Sequence, residues 1–348
     1  MTAIRTMLAS GSDETLNLLL NVVRSDPQLE VVACVKEANR VVEELTRVAP
    51  DIVVMDVELR DANGFALTRR IMAIRPTPVL LVSDGQTCTR PETEIEAINA
   101  GALSLMPLPD ASARWPSADC AASFIERVKL FSEVKVVTRR GVSACPDPRP
   151  ADHEEKGKKD ETGISVVVVG SSTGGPVALQ SLLGHVPLTL PVPIVIVQHI
   201  SPGFIEGLAQ WIGDSTAFPS SVANDGEIMK PGHVYLAPDL RHLQIDQHGR
   251  FLLSDADPVA GLRPAVSVLF RSACRAYGSR CIGVLLSGMG CDGANELLEL
   301  RNAGAMTFAQ SEESCVVPGM PGEAIRIGAA RKIQRPEHIG EALGMLWG

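Results

Sequence analysis

Short β-branched runs, each followed by a stretch with helical periodicity, constrain this chain more than any other feature. Ile4–Ala9, Val31–Val35, Ile52–Met55, Val79–Val82 and Leu103–Met106 are apolar and strand-length. After the first, Leu16, Leu19, Leu20 and Val23 recur at helical spacing. Further helical patterns lie near Ala38–Arg47, Ala66–Ile74, Glu92–Ala100 and Ala121–Val134. Runs that are apolar almost throughout belong to strands buried on both faces. Alternation of this kind predicts a doubly wound parallel sheet, with right-handed crossovers placing helices on both sides. A second block begins the same way. Ile164–Val169 reads as a buried strand, a helix starts near Gly174, and strands follow at Pro193–Val197 and Ile282–Leu286. The Pro/Gly-rich stretch Asp225–Leu253 is expected to hold short antiparallel strands at Val234–Leu236 and Phe251–Leu253.

Between the blocks, Thr138–Gly163 carries mixed charges, three prolines and almost no apolar periodicity, and reads as a linker. The 348 residues exceed one ordinary domain and fit two. The expected organisation is a first domain over 1–137, a linker over 138–163 and a second domain over 164–348. A hydrophobic content of 45% excludes wholesale disorder. A net charge of −9 argues against a general nucleic-acid binder. No apolar run approaches the roughly 18–20 residues of a membrane span. Met1–Ser10 has a single Arg5 and no signal-peptide layout. None of the eight cysteines forms a C-x-x-C, so neither a zinc site nor a disulfide framework is expected, and a cytoplasmic location is.

The chemistry concentrates in the second block. Gly170-Ser171-Ser172-Thr173-Gly174-Gly175-Pro176 links a buried strand to a helix. Small residues let a ligand approach the backbone, and the N–H groups at a helix start favour an anion or a developing oxyanion. Taken alone, this string fits an ordinary capped turn equally well. It completes neither the P-loop nor the G-x-G-x-x-G fingerprint, which ranks nucleotide binding low. Other reactive residues sharpen the reading. His199 ends the next strand, and Asp292 follows a third one in Ser287-Gly288-Met289-Gly290-Cys291-Asp292-Gly293. If the strands are parallel, Ser172, His199 and Asp292 all project from their carboxyl ends, where open α/β sheets place their sites. A serine nucleophile needs a base, and the base needs a carboxylate to fix its tautomer. The bland alternatives are a hydrogen-bonded histidine and a turn aspartate. His185, His233, His242, His248 and His338 are rival bases.

With these residues in view, the chain resembles the CheB family of chemotaxis protein-glutamate methylesterases over nearly its whole length. The matching strings are Gly-Ser-Ser-Thr-Gly-Gly (170–175), Val-Gln-His (197–199), Ala-Asn-Asp-Gly-Glu (223–227) and Pro-Gly-His-Val-Tyr-Leu-Ala-Pro (231–238). Four more follow in order: Arg-Pro-Ala-Val-Ser-Val-Leu-Phe (263–270), Gly-Val-Leu-Leu-Ser-Gly-Met-Gly-Cys-Asp-Gly (283–293), Ala-Gly-Ala-Met-Thr (303–307) and Gly-Met-Pro-Gly-Glu-Ala (319–324). The resemblance implies a flavodoxin-like receiver joined to a Rossmann-like methylesterase domain. It assigns Ser172 as nucleophile, His199 as base, Asp292 as its orienter, and Thr173 with the Met289 N–H as supports of the triad and the oxyanion. The implied reaction is hydrolysis of glutamate γ-methyl esters on the cytoplasmic helices of chemoreceptors, with glutamine deamidation by the same acyl route. No metal or organic cofactor is implied for catalysis. A serine hydrolase acting on another methyl ester, and a non-catalytic receiver-fused adaptor, are the alternatives.

The first block resembles a response-regulator receiver. Asp56 falls at the phosphoacceptor position and Ser83 at the switch hydroxyl. Two expected parts are replaced. Ser10 and Gly11 stand where an acidic pair holds Mg²⁺, and Leu108 stands where the family has a lysine. Asp13 and Glu14 read as the first turn of a helix rather than as substitutes. The expectation is therefore a degenerate receiver that accepts phosphate poorly. The same losses weaken the family's usual link to a chemotaxis histidine kinase as phosphodonor.

Overall fold

A computed structural model describes residues 3–83, 91–108, 118–134 and 163–347. The chain divides into two compact units, Met1–Gly141 and Val142–Gly348. The expected linker, 138–163, lies outside the described residues except for Gly163.

The first unit runs β1 (Ile4–Ala9), α1 (Asp13–Arg24), β2 (Leu29–Val35), α2 (Ala38–Val48), β3 (Ile52–Asp56), α3 (Gly64–Ile74), β4 (Val79–Ser83), α4 (Pro91–Ala100), β5 (Ser104–Pro107) and α5 (Ala118–Ser132). Its sheet has the order β2-β1-β3-β4-β5, parallel throughout. This is the flavodoxin-like order. The helices form where the apolar spacing said they would. In α2, Val41, Leu45 and Val48 are buried while Arg40 and Arg47 face water. Helix α1 starts at Ser12, whose hydroxyl accepts the Thr15 N–H at 3.3 Å, with Asp13 and Glu14 in its first turn.

The second unit runs β6 (Val166–Ser171), α6 (Gly175–Leu183), β7 (Ile194–Gln198), α7 (Ile205–Thr216), β8 (Ser220–Val222) and β9 (Val234–Leu236). There follow β10 (His242–Ile245), β11 (Phe251–Ser254), α8 (Val266–Tyr277), β12 (Cys281–Leu285), α9 (Ala294–Asn302), β13 (Met306–Gln310), α10 (Gly319–Arg326), β14 (Lys332–Gln334) and α11 (Pro336–Met345). Seven strands form one parallel sheet in the order β14-β13-β12-β6-β7-β9-β8. Alternate residues of β6 feed two separate cores: Val166 and Val168 face one layer of helices, Val167 and Val169 the other. The chain leaves β6 in one direction through β7 and returns on its other side through β12, so β6 is the topological switch point.

One expected pairing is corrected. Val234–Leu236 is not antiparallel to Phe251–Leu253. It joins the main sheet as β9, parallel to β7 and β8, while β11 pairs antiparallel with β10. All three β9 residues are buried, as a central parallel strand requires, whereas Leu252 in β11 is exposed.

Candidate active site

Strand register brings the nucleophile candidate beside the base candidate. Ser171 of β6 pairs with Gln198 of β7, so Ser172 and His199 are the first residues beyond neighbouring strands at the carboxyl edge. Adjacent strands lie roughly 4.8 Å apart there. The backbone holds the two ends together, because the His199 N–H donates to the Ser171 carbonyl at 2.9 Å. On the other flank, the Ser172 N–H donates to the Ser287 carbonyl at 3.0 Å. Gly288, next along, has no side chain for a reason. A Cβ there would stand 2.8 Å from Ser172 Cβ and 2.3 Å from Met320 Sδ. Gly288→Ala is therefore expected to displace the Ser172 turn and to lower kcat about 100-fold with KM little changed, as steady-state ester hydrolysis would measure.

Asp292 closes the constellation. Its Oδ2 accepts the Val266 N–H at 2.6 Å and its Oδ1 accepts the Ser267 N–H at 3.0 Å, so it caps α8. Its Oδ2 also lies 3.0 Å from His199 Nε2. Burial pushes this carboxyl up. The adjacent His199 and the Ser267 donors outweigh that and hold it below the ordinary carboxylate range. The imidazole approach is close but not aligned as a full hydrogen bond. The Ser172 hydroxyl is not bonded to His199 either, a looseness common in unliganded sites. Thr173 and Met289 flank the serine: the Thr173 carbonyl accepts the Ser287 hydroxyl at 2.8 Å, and Met289 follows Gly288 on the rim with 45% exposure. Among the described residues, neither the Thr173 nor the Met289 N–H has an acceptor in the fold.

Three of the rival histidines have other partners. His233 precedes β9, at the amino edge, and its Nε2 lies 2.9 Å from Ser221 Oγ. His242 Nε2 meets the Asp257 carbonyl, and His185 Nδ1 the Ser181 carbonyl.

This geometry agrees with what the chain resembles. The family model described as CheB methylesterase matches residues 167–343, and that for the response regulator receiver domain matches 11–107. A curated relative in Syntrophus aciditrophicus, named protein-glutamate methylesterase/protein-glutamine glutaminase 1, is 41% identical over 99% of both chains. One of the same enzyme name in Nitrosospira multiformis is 40% identical over 98% of this chain and 96% of that one. The crystal structure of the Thermotoga maritima CheB methylesterase catalytic domain is 39% identical, with a TM-score of 0.51, covering 53% of this chain and 98% of that one. The chain belongs to the CheB methylesterase family.

The receiver of this CheB-family chain has its pocket but not its usual contents. A cavity of about 330 Å³ is lined by Gly11, Asp56, Glu58, Arg60, Ser83 and Leu108, among others, so the expected phosphoacceptor, switch and lysine positions do converge. Asp56 is buried at the end of β3, where Ser10 Oγ donates to its Oδ2 at 2.8 Å and the Glu58 N–H to its Oδ1 at 3.1 Å. Asp13 turns to Lys36 and to Arg60, and the lysine holds its carboxyl below the ordinary range. No acid fits at position 11 without movement, because a Cβ on Gly11 would stand 2.8 Å from the Arg60 nitrogen. Among the described residues no group of three or more His, Cys, Asp or Glu could hold a metal ion. Mg²⁺ is held by one or two carboxylates together with phosphate oxygens; Asp56 and Glu58 bring carboxylates to this cavity, while Ser10 and Gly11 bring none at the positions of the acidic pair.

Sequence reasoning missed the groups that hold the candidate residues in place. Gln198, Ser287 and Gln310 are buried, and each satisfies backbone groups of the active-site turns. The one available signal was their place: polar residues at or just beyond the carboxyl ends of apolar strands.

Proposed function

We propose that this chain hydrolyses glutamate γ-methyl esters on the cytoplasmic signalling helices of chemoreceptors, and deamidates glutamines there by the same route, with Ser172, His199 and Asp292 as its triad. The observation that carries the reading is Asp292. Two helix N–H groups fix this carboxylate, and it faces His199 at the strand end next to Ser172. With Nε2 turned to Asp292, Nδ1 is the nitrogen left to take the Ser172 proton. Ser172 Oγ attacks the ester carbonyl, and the oxyanion develops toward the unspent N–H groups of Thr173 and Met289. The imidazolium returns its proton to the departing methoxide, releasing methanol and leaving a glutamyl ester on Ser172. Water, deprotonated by His199, then cleaves that ester and frees the receptor glutamate. For glutamine the leaving group is ammonia. This acyl chemistry calls for no metal or organic cofactor. The receptor helices lie on the cytoplasmic side, which places the chain there. No helix among the described residues is long and apolar enough to cross a membrane.

The test is incubation of the full-length protein with receptor cytoplasmic fragments methylated at glutamate, followed by methanol release. Release is expected. No release from those fragments, with release from another methyl ester, would reassign the substrate, and no release from any ester would make the chain an adaptor.

The receiver regulates or docks without efficient phosphorylation, in this reading. Its acceptor Asp56 is engaged by Ser10, and among the described residues lining the cavity there is no lysine to meet the charge of a transferring phosphoryl group. Full-length protein mixed with acetyl phosphate and Mg²⁺ is expected to stay unmodified. Rapid formation of an acid-stable, base-labile adduct that Asp56→Asn abolishes would overturn this, and would restore a chemotaxis histidine kinase as the expected phosphodonor.

A further inference from the structure

We infer that Gln198 is a positioning residue of the hydrolase, a single buried amide that locks nucleophile and base in register. The inference rests on the roles proposed for Ser172 and His199 and goes beyond them. Where β6 and β7 end, their ladder ends too, and the carbonyls of Ser172 and His199 would lose their strand partners. The Gln198 side chain replaces them. Its Nε2 donates to the Ser172 carbonyl at 2.8 Å and to the His199 carbonyl at 2.8 Å. Its Oε1 accepts the Ser171 hydroxyl at 2.7 Å, and Ser171 is wholly buried. Both amide protons and the amide oxygen are therefore spent on the backbone carbonyls of the two residues that must align and on the hydroxyl of Ser171, which precedes the nucleophile.

The surroundings are shaped to keep the amide there. A Cβ on Gly175 would stand 2.0 Å from Gln198 Oε1, so the glycine at the start of α6 leaves the room that the amide fills. The Gly175 N–H shares the Ser172 carbonyl, at 2.7 Å, which ties the first turn of α6 into the same knot. Gln198 touches no reacting atom. It acts on the chemistry through the backbone positions of Ser172 and His199, and a misplacement near 1 Å costs about 100-fold in rate. A glutamate of the same shape would turn a carboxylate oxygen toward two carbonyl oxygens and repel both.

The experiment compares full-length wild type, Gln198→Met, Gln198→Glu and Ser171→Ala. Two readouts are taken: methanol release, and the rate at which a small fluorophosphonate phosphonylates Ser172, the serine oxygen displacing fluoride and its proton leaving through the base. Gln198→Met is expected to lower both kcat and the labelling rate about 100-fold, with KM within about twofold. Gln198→Glu should fail similarly despite its matched volume. Ser171→Ala, which removes the hydroxyl that orients the amide but leaves both amide donors in place, should lose about three- to tenfold, again in kcat. A labelling rate for Gln198→Met equal to wild type, or a Gln198→Glu enzyme as active as wild type, overturns the inference. If Gln198→Met does not fold, Ser171→Ala decides, and an unchanged kcat refutes. Absence of label at Ser172 in the wild type overturns the triad and this inference together. Labelled wild type with equally labelled variants overturns this inference alone.

Discussion

Ser172→Ala is expected to slow methanol release from methylated receptor helices by roughly 10⁴–10⁶-fold, because the members of a triad act as a unit and little chemistry survives the loss of the nucleophile. The same substitution should leave thermal unfolding within a few degrees. The Ser172 hydroxyl makes no hydrogen bond that folding depends on, and the turn is held by its backbone, through the Ser172 N–H to Ser287 and the Ser172 carbonyl to Gln198. Rapid-quench mass spectrometry should find an acyl adduct on Ser172 in the wild type. A Ser172→Ala protein retaining more than one part in a hundred of the activity would remove the serine from the mechanism. Retention at that level would also shift attention to Ser171, although that hydroxyl is wholly buried and committed to Gln198.

Asp292→Asn is expected to lower kcat by about 10⁴-fold, since an amide neither fixes the His199 tautomer nor stabilises its cation. Unlike the serine change, it should also reduce stability, by about 1–2 kcal/mol. The carboxylate accepts two N–H groups at the start of α8, and an amide nitrogen would face one of them donor to donor. The pH dependence separates the two effects. Asp292 is held below the ordinary carboxylate range in the folded protein. Its contribution is thus complete above the unfolded value of about 3.9 and disappears as pH falls through the lower folded value. The gap in melting temperature between wild type and Asp292→Asn should be widest near neutrality and close as pH falls below about 4. A gap independent of pH would mean that the charge at 292 does not support the helix.

Much of this was legible because β-branched runs are a strong signal and strand ends are informative places. The five strands of the receiver unit fell within a few residues of their predicted positions, since each is an apolar stretch between amphipathic helices. The edge strands Ser220–Val222 and Lys332–Gln334 were not legible. They are short and partly polar, and they form only because a neighbouring strand presents its ladder. At the site, Ser172, His199 and Asp292 were candidates for their side-chain chemistry after strands, and only the family resemblance chose Ser172 over Ser171 and His199 over the other histidines. The turn-acid reading of Asp292 described half of its work, for the helix it caps begins 26 residues earlier in the chain. Gln198 lay inside a motif string yet carried no sign of its function, because its partners are backbone carbonyls, which every residue has and no sequence pattern marks.

The parallel sheet of the second unit also has a use for protein engineers. Since all seven strands run the same way, the residues at which the chain enters each strand lie on the rim away from Ser172. The turn around Leu188, half exposed between α6 and β7, leads into one of these strands, and β7 separates it from His199 by on the order of 15 Å. A fluorescent tag or affinity handle spliced in at that turn should ride on a working hydrolase, whereas the same cargo beside Gly203 or Met289 would obstruct it.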